Sequence, residues 1–245
     1  MQFDDFRWKG ILASAMGVMI QEMPQYVKPQ QRTNPITVLG RSGTLTPRAD
    51  LGYEPVSYTV QCALAAGADR QAVYTWLQGS GMLILGSLPE YAYEAEITAQ
   101  IDYRLFVDGD EGGWEDFTVI WSCQPYRYQA SPDANIEIDG GAEQPVTIHN
   151  PGNVDAAPII TLHDAEGDIT LTIGGQAVKL ESIEDGCIID CDMLDCCDMD
   201  RANLLNAQMT GDFPTIPPGD SQLTWTLGDG SQVTKIEIQP MWRWI

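Results

Sequence analysis

The alternation of apolar and polar residues over positions 93–105 constrains the fold of this chain more than any other feature. Every odd position in this run is apolar or aromatic, and every even position is polar or charged. Successive side chains of a strand point to opposite faces, so the pattern predicts one long, half-buried β-strand. After an acidic, glycine-rich turn at 108–113, residues 117–123 again place apolar residues at every odd position, which predicts a long antiparallel hairpin.

Most of the remaining chain is also predicted to be β. The 23 glycines and 15 prolines of the whole chain divide it into short runs, and residues 57–64 alternate like another strand. One helix is expected, because Asp69 can cap it and Val73, Trp76 and Leu77 follow at helical spacing. The glycines that come next should end it after about ten residues, the length of a helix that covers a sheet.

A change of texture near residue 132 predicts two domains. Beyond it, short strands recur about every ten residues, which is the rhythm of a sandwich or barrel. We predict a mainly β protein with an N-terminal β-sandwich over residues 1–132, which carries the helix and the hairpin, and a second β domain over residues 133–245. Strands of the second domain are expected at 146–148, 159–162, 169–173, 176–180, 187–191, 223–227 and 233–238.

The charge balance excludes several classes of partner. Thirty-five acidic residues against thirteen basic ones give a net charge of -22, which repels nucleic-acid backbones and anionic lipids at long range. No window approaches the roughly 20 apolar residues of a membrane span. We also expect no signal peptide, because Asp4 and Asp5 precede the N-terminal apolar run at 9–20.

Residues 187–200 contain four of the six cysteines and five aspartates. A zinc site would pair Cys187 and Cys191 with Cys196 and Cys197, but vicinal cysteines diverge on a strand. These four thiols are weak metal candidates, and we favour the interpretation that they pack as small apolar residues in a reducing cytoplasm. We expect no metal and no other cofactor.

No motif marks a nucleophile or a pair of catalytic carboxylates, so no catalytic residue is assigned and the chain is not expected to be an enzyme. The segment 149–153, His-Asn-Pro-Gly-Asn, is typical of a β-turn. It could also form a sugar-binding loop with Trp225 as a stacking platform. The alternative function is therefore a carbohydrate-binding β-sandwich module, or an accessory domain of a glycan hydrolase.

Several short segments resemble one family when they are taken together and in order. The most specific is residues 211–219, Gly-Asp-Phe-Pro-Thr-Ile-Pro-Pro-Gly, ahead of a terminal Trp-Arg. The chain resembles the distal tail (Dit) family of siphophages, which are long, non-contractile-tailed bacteriophages. The residues that carry the resemblance are Gly40, Arg41, Gly43, Asn150, Pro151, Asn153, Gly211, Phe213, Pro214, Gly219, Trp242 and Arg243.

The resemblance implies a structural protein of the virion. It implies an N-terminal ring-forming domain, a galectin-like C-terminal sandwich, and a homohexameric ring or two stacked rings. Such a ring would be the hub that joins the tail tube to the tail tip or baseplate. Implied partners are further copies of the chain, the tail tube protein, the tape-measure protein, and a tail-associated fibre, lysin or baseplate protein. The expected location is the virion tail tip, and the host cytoplasm during assembly.

A ring hub places two demands on the predicted hairpin. Its apolar face could bury against a neighbouring subunit, which makes Ile97, Ile101, Tyr103, Phe117 and Val119 the candidate interface residues. Its polar face could line a channel and repel passing DNA. The acids expected on that face are Glu94, Glu96, Asp102, Asp108 and Asp110. One departure from the galectin pattern weighs against sugar binding, because no arginine follows His149-Asn-Pro.

Overall fold

The computed structural model describes residues 4–45, 52–107, 113–131 and 134–245. The chain divides into two compact units, Met1–Ser131 with Ile245, and Pro132–Trp244. Each unit has its own cluster of buried apolar residues. Among the described residues, no helix has the length and hydrophobicity needed to span a membrane.

The N-terminal unit is built almost entirely from strands. Its one α-helix, α1 (Arg70–Trp76), accompanies a single 3₁₀ turn at Ser14–Met16 within the described residues. The strands are β1 (Phe6–Trp8), β2 (Ile11–Leu12), β3 (Val18–Glu22), β4 (Ile36–Thr37), β5 (Thr44–Leu45), β6 (Val56–Leu64), β7 (Gly79–Leu85), β8 (Tyr91–Ile97), β9 (Tyr103–Val107) and β10 (Gly113–Gln129).

The main sheet of this unit curls back on itself. Seven strands follow the order β2-β1-β7-β8-β10-β6-β3, so the two ends of the path are β2 and β3. Six strand spacings in a flat sheet would separate those ends by about 29 Å. The chain from Leu12 to Val18 can span only about 21 Å even when fully extended. The sheet must therefore curve, and it encloses the core on its concave side.

Aromatic side chains fill that core. Trp8 and Trp121 are fully buried, and Trp121 lies edge-on to Phe6 at 5.0 Å between ring centroids. The indole of Trp8 donates to the carbonyl oxygen of Trp76 at 3.1 Å, and the indole of Trp76 donates to that of Trp8 at 3.0 Å. This exchange joins α1 to the first strand, so the helix covers the open side of the curled sheet, as the sequence predicts.

The start of α1 is confirmed, but its end is not where the glycines suggested. The Asp69 carboxylate accepts the backbone N–H of Ala72 at 3.1 Å and caps the first turn. The helix ends at Trp76, and the glycines at 79 and 81 belong to β7. Gly79 has a φ of 67°, which lets the chain turn directly from the helix into the strand.

The long strand predicted over residues 93–105 is two strands, β8 and β9, and this expectation was wrong. Both pair with β10 along the edge opposite β6. Glu96 of β8 pairs with Ser122 of β10. If that register continued without a break, residue 101 would lie opposite Phe117. Instead, Tyr103 of β9 pairs with Phe117. The link between β8 and β9 thus carries two extra residues. A two-residue insertion preserves the alternation of faces, so the pattern could not reveal it.

The predicted antiparallel hairpin itself is confirmed by the pairing of β9 with β10. Gly113 pairs with Val107, and the register continues to Phe117 and Tyr103. The turn predicted at 108–113 lies, except for Gly113, outside the described residues.

The C-terminal unit is a sandwich of two five-stranded sheets, one ordered β11-β20-β13-β16-β17 and the other β12-β19-β14-β15-β18. The ten strands of these sheets are β11 (Ile136–Asp139), β12 (Val146–Asn150), β13 (Ile159–His163), β14 (Gly167–Ile173), β15 (Gln176–Ile183), β16 (Gly186–Asp190), β17 (Asp195–Cys197), β18 (Met209–Thr210), β19 (Gly219–Leu227) and β20 (Lys235–Gln239). A further short strand, β21 (Arg243–Trp244), belongs to neither sheet. A 3₁₀ turn, Asn206–Gln208, precedes β18. All seven predicted strands are present.

Aliphatic residues fill the space between these two sheets. Ile160 and Leu162 of one sheet, and Leu171 and Val178 of the other, are completely buried. Each strand that supplies them alternates buried and more exposed positions, as expected of a sheet with one face against a core. The sandwich predicted for the second half of the chain is thereby confirmed.

Candidate subunit interface

One hairpin of the N-terminal unit stands apart from its main sheet. Strands β4 and β5 pair only with each other among the described strands, with Ile36 opposite Leu45. Every residue from 30 to 45 is exposed, although the segment contains four large apolar side chains. Their exposed fractions are 45% for Ile36, 41% for Val38, 102% for Leu39 and 42% for Leu45. We call residues 30–45 the apolar arm.

The apolar arm is anchored at its base. Gln31 and Tyr53 form an antiparallel bridge, the N–H of Arg32 donates to the carbonyl of Gly52 at 3.0 Å, and that of Glu54 donates to Gln30 at 2.8 Å. From Gln31 to Leu39 the chain can extend at most about 28 Å. The backbone hydrogen bonds fix the base of the arm, and the apolar residues beyond it are exposed to solvent within that distance.

Glycines shape the turn of the arm. Gly40 and Gly43 have φ values of 81° and 79°, in the left-handed region that other residues enter at a cost. Arg41 lies between them, and its N–H donates to the carbonyl of Val38 at 3.1 Å. Three of the residues that carry the family resemblance thus form the tip of the arm. An isolated two-stranded hairpin is only marginally stable in water, so this arm is suited to pack against another surface.

Strand β9 offers a second contact element. Among the described strands it pairs with β10 alone, so its other edge has unpaired main-chain groups. Leu105, at the centre of β9, is 55% exposed. An edge strand with an exposed leucine can accept a strand from another chain.

The structure revises the interface residues expected from sequence. Phe117 and Val119 are 4% and 0% exposed and belong to the core of their own unit. Ile97, Ile101 and Tyr103 are half-buried and pack against the same core. A side chain buried in its own chain has little surface to offer a neighbour. The apolar face of the hairpin is therefore core, and the two most exposed large apolar side chains described in this unit are Leu39 of the apolar arm and Leu105 of β9.

Helix α1 holds the β9–β10 hairpin in place. Glu115 of β10 is buried and forms an ion pair with Arg70. The Tyr74 hydroxyl donates to the same carboxylate at 3.2 Å, and the Tyr74 ring lies against that of Tyr103 with centroids 4.0 Å apart. Burial is the main cause that raises the pKa of Tyr103 above its usual value. These contacts from the first two turns of α1 hold β9 and β10 in one position.

Two of the acids expected to line a channel, Glu94 and Glu96 of β8, lie on the face of the sheet that points away from the core. Glu96 and Asp102 are exposed, and Glu94 is half-exposed. Glu94 and Glu96 border a shallow depression with Ser80 and Ser122. The expectation for Asp108 and Asp110 lies outside the described residues.

The family-motif residues of the C-terminal unit come together around one buried amide. Asn150 is 1% exposed, and its Nδ2 donates to the carbonyls of Val154 at 3.1 Å and Ile216 at 2.7 Å. Its Oδ1 accepts the N–H of Gly152 at 2.7 Å, which forms the turn predicted for this segment. A Cβ on Gly152 would lie 2.4 Å from the carbonyl oxygen of Arg243. Three motif segments thus meet here.

The other motif residues of this unit support the same region. Arg243 donates from Nε to the carbonyl of Asp155 at 2.5 Å, Trp242 is buried, and Pro214 is buried beside the half-buried Phe213. Gly211, with a φ of 110°, passes so close to Ala177 that a Cβ would lie 2.5 Å from its carbonyl oxygen. Pro151, Asn153 and Gly219 complete the loop and the start of β19. Asn150, Gly152 and Arg243 thus each contact the backbone of their own unit.

The cysteines pack as the sequence analysis favoured. All six are free and buried. Cys187, Cys191 and Cys196 face the core, whereas Cys197 faces away and its thiol lies 3.7 Å from the carbonyl oxygen of Ile188. Burial raises the pKa of Cys191 to about 12, and a hydrogen bond with Cys196 raises that of Cys187. Within the described ranges, no group of three or more His, Cys, Asp or Glu side chains is arranged to hold a metal ion.

The sugar platform suggested for Trp225 is wrong. Trp225 is 4% exposed, and its indole donates to the carbonyl of Gly140 at 3.1 Å, so its ring faces cannot stack on a sugar. His149 is exposed on β12, where Nδ1 lies 2.7 Å from Asp220. The two residues therefore do not form a shared site.

Taken together, the two units define a mainly β protein in which a curled sheet with an exposed arm is followed by a closed sandwich. This architecture is similar to that of a solved protein, the crystal structure of Dit (gp 19.1) from phage SPP1. The TM-score is 0.66 at 14% sequence identity, and the match covers 96% of this chain and 97% of that one. The resemblance that the motifs suggested is confirmed for the fold.

The solved SPP1 protein is described as a paradigm of the hub adsorption apparatus in phages that infect Gram-positive bacteria. No protein-family model matches the present sequence, and no curated protein does.

Sequence reasoning missed the apolar arm as an interface element. Its tip was noted only as part of a family motif, because Ile36, Val38 and Leu39 show neither strict alternation nor helical spacing. A signal was nevertheless present. Residues 29–35 contain proline twice and no large apolar residue, so they separate the apolar run that follows from the preceding strand.

Proposed function

We propose that this chain is a structural subunit of a phage tail hub and that it performs no catalysis. Six copies would close into a ring that joins the tail tube to the tail tip or baseplate. The observation that carries this proposal is the similarity of fold to SPP1 Dit, because it spans both units and nearly the full length of both chains.

The apolar arm supports assembly of identical copies. The arm carries four exposed apolar side chains on an anchored hairpin. When a neighbouring subunit covers them, apolar surface is removed from water, which favours association. In a closed ring every arm finds a neighbour and none is left exposed. We propose that the arm packs on the adjacent N-terminal unit and that the edge of β9 adds to the same interface.

The channel for DNA follows from the same arrangement. If the outward face of the curled sheet lined the ring, Glu94, Glu96 and Asp102 would repel the phosphate backbone, and DNA would pass without binding. The tail tube and tape-measure proteins, and a fibre, lysin or baseplate protein, are the proposed partners on either side of the ring. The galectin-like assignment of the C-terminal sandwich, and the location at the tail tip, belong to this proposal.

The test is the solution mass of the full chain and of a Leu39→Asp variant, measured by light scattering. Leu39 is fully exposed in the single chain, so the substitution should leave folding intact and disrupt only assembly. We expect a ring for the unmodified chain and single subunits for the variant. Leu227→Asp, at an exposed position of the C-terminal unit, is the matched control and should still assemble.

Two results would contradict the proposal. The first is a single subunit at every concentration of the unmodified chain. The second is a Leu39→Asp variant that assembles as well as the Leu227→Asp control, since the arm would then have no part in the interface.

A further inference from the structure

Exposed apolar residues of the C-terminal unit are concentrated in one place. Five of its large apolar side chains are exposed among the described residues, and four lie between positions 193 and 204. They are Met193, Leu194, Met199 and Leu204, with exposed fractions of 70%, 58%, 36% and 67%. We call these four residues the edge patch. Single exposed apolar residues are ordinary, but a group of them with a common floor marks an interaction surface.

The floor of the edge patch is the outward face of a sheet edge. Cys197 of β17 pairs with Ile188 on one side and bridges Leu204 on the other. Paired residues share a face, so Leu204 stands beside Cys197 and Ile188, which are only 6% and 8% exposed. Met199 lies over Gly186, since a Cβ there would be 3.3 Å from its sulfur. Leu204 and Met199 therefore lie on one continuous apolar surface.

The turn between β16 and β17 presents the other two residues in a fixed conformation. The buried carboxylate of Asp190 accepts the N–H groups of Asp192 at 3.3 Å and Met193 at 3.1 Å. Arg201 pairs with the other oxygen of Asp190 at 3.4 Å. Leu194 has a φ of 59°, a strained conformation for a bulky residue, and still points its side chain into solvent. Backbone strain of this kind is retained most often where it serves a function.

The charge around the edge patch selects the kind of partner. Residues 190–204 contain five aspartates and one arginine, and that arginine is paired with Asp190. Asp192 is paired with Arg243 at 3.3 Å, which leaves Asp195, Asp198 and Asp200 as an acidic border. A second copy of this surface, or an anionic membrane, would be repelled by that border. A cationic partner would be attracted to it.

We propose that the edge patch is a docking site for an extended segment of another protein in which apolar residues alternate with lysine or arginine. The apolar side chains of that segment cover Leu204, Met199 and the turn at Met193 and Leu194. Its basic side chains meet the aspartates of the border. Self-assembly through the apolar arm is a separate matter, because the arm belongs to the other unit.

The proposal can be tested with a synthetic peptide of alternating leucine and lysine, labelled for fluorescence anisotropy and titrated with the full-length chain. We expect saturable binding that weakens as salt is added. Leu204→Ser should weaken binding at least tenfold, whereas Leu227→Ser, at the fifth exposed apolar position, should leave it unchanged. Leu39→Asp should bind the peptide as the unmodified chain does, even where it no longer assembles.

Each of four results would overturn the proposal. Equal affinity of the Leu204→Ser and Leu227→Ser variants, or equal binding of a serine–lysine peptide, would mean that charge alone is responsible. A self-association that only Leu204→Ser abolishes would assign the surface to a second copy. Binding to vesicles of neutral phosphatidylcholine that is lost in Leu204→Ser would assign it to lipid.

Discussion

The two units of this chain bury apolar residues equally well but differ in what they leave exposed. The N-terminal unit carries 15 acidic and 9 basic residues, and the C-terminal unit carries 20 and 4. Eleven of the sixteen exposed large apolar residues in the described ranges belong to the N-terminal unit. A surface of mixed charge with many exposed apolar groups suits contact between identical copies. A surface with a net charge of -16 resists it and suits a partner of opposite charge.

Their interiors differ too. The N-terminal core depends on large aromatic residues that α1 and the first strand hold together by exchanged indole hydrogen bonds. The C-terminal core is mainly aliphatic, and one buried asparagine fastens its loops. Because each unit has its own core, damage to one should leave the other folded. The predictions below test this independence, beginning with the largest expected effect.

Replacement of Trp8 by alanine should destabilise the N-terminal unit by about 4 kcal/mol. It removes a fully buried ring and leaves the carbonyl of Trp76 without its indole donor. Hydrogen exchange should accelerate in β7 and β10 and stay unchanged in β13 and β14. Ile11→Ala, at an exposed position of β2, should have little effect. Equal acceleration in both units would contradict their independence.

Replacement of Asn150 by alanine should destabilise the C-terminal unit by about 3 kcal/mol, because buried carbonyls and an N–H lose their partner. Exchange should accelerate in β12 and β19, while β6 and β10 keep their protection. His149→Ala, one residue away on the same strand, is the control. His149 is exposed and its pair with Asp220 contributes little. A similar loss of protection in both variants would show that the amide is not a fastening point.

Replacement of Glu115 by glutamine should have a smaller effect, about 1 kcal/mol, since Arg70 is exposed and water can solvate it once the ion pair is lost. The change should appear as faster exchange of the β9 amides, because β9 is an edge strand that Tyr74 and Tyr103 hold in place. Asp116→Asn, whose partner Gln21 is exposed, is the control. Unchanged exchange in β9 would mean that α1 does not position the hairpin.

The smallest expected effect concerns the cysteines, whose thiols should not react in the folded protein. Burial raises the pKa of Cys62, Cys123 and Cys191 to about 12, so at pH 8 well under one per cent of each is thiolate. All six thiols are also buried, so an aromatic disulfide reagent cannot reach them, and it should label none of the cysteines until the protein unfolds and six afterwards. Rapid labelling of a thiol in the folded chain would show that one unit opens more readily than its packing indicates.

The alternation of apolar and polar residues located most of the strands correctly, since it depends on which face meets a core. It could not detect the break between β8 and β9, because an insertion of two residues leaves every side chain on its original face. It also assigned apolar residues to an interface when their own core required them. Phe117 and Val119 show that periodicity identifies a buried face but not what buries it.

The candidate interface was harder to predict for a related reason. Leu39 belongs to no run of apolar residues with the period of a strand or a helix, so the sequence does not predict which face it occupies. Its full exposure is evident only from the folded structure. Asn150 was part of a recognised segment, yet its contacts with Val154 and Ile216 depend on loops that close only in the folded sandwich. Local sequence patterns predict which face of a strand is buried. Which apolar surfaces remain exposed depends on how the elements pack in the folded chain.

The symmetry of the assembled particle tests the central claim most directly. Negative-stain images of the purified full-length chain should show rings of six copies with an open centre. With a chain of 27.0 kDa, six copies amount to a particle of about 160 kDa. Images that contain only single subunits, at every concentration of the chain, would contradict the account.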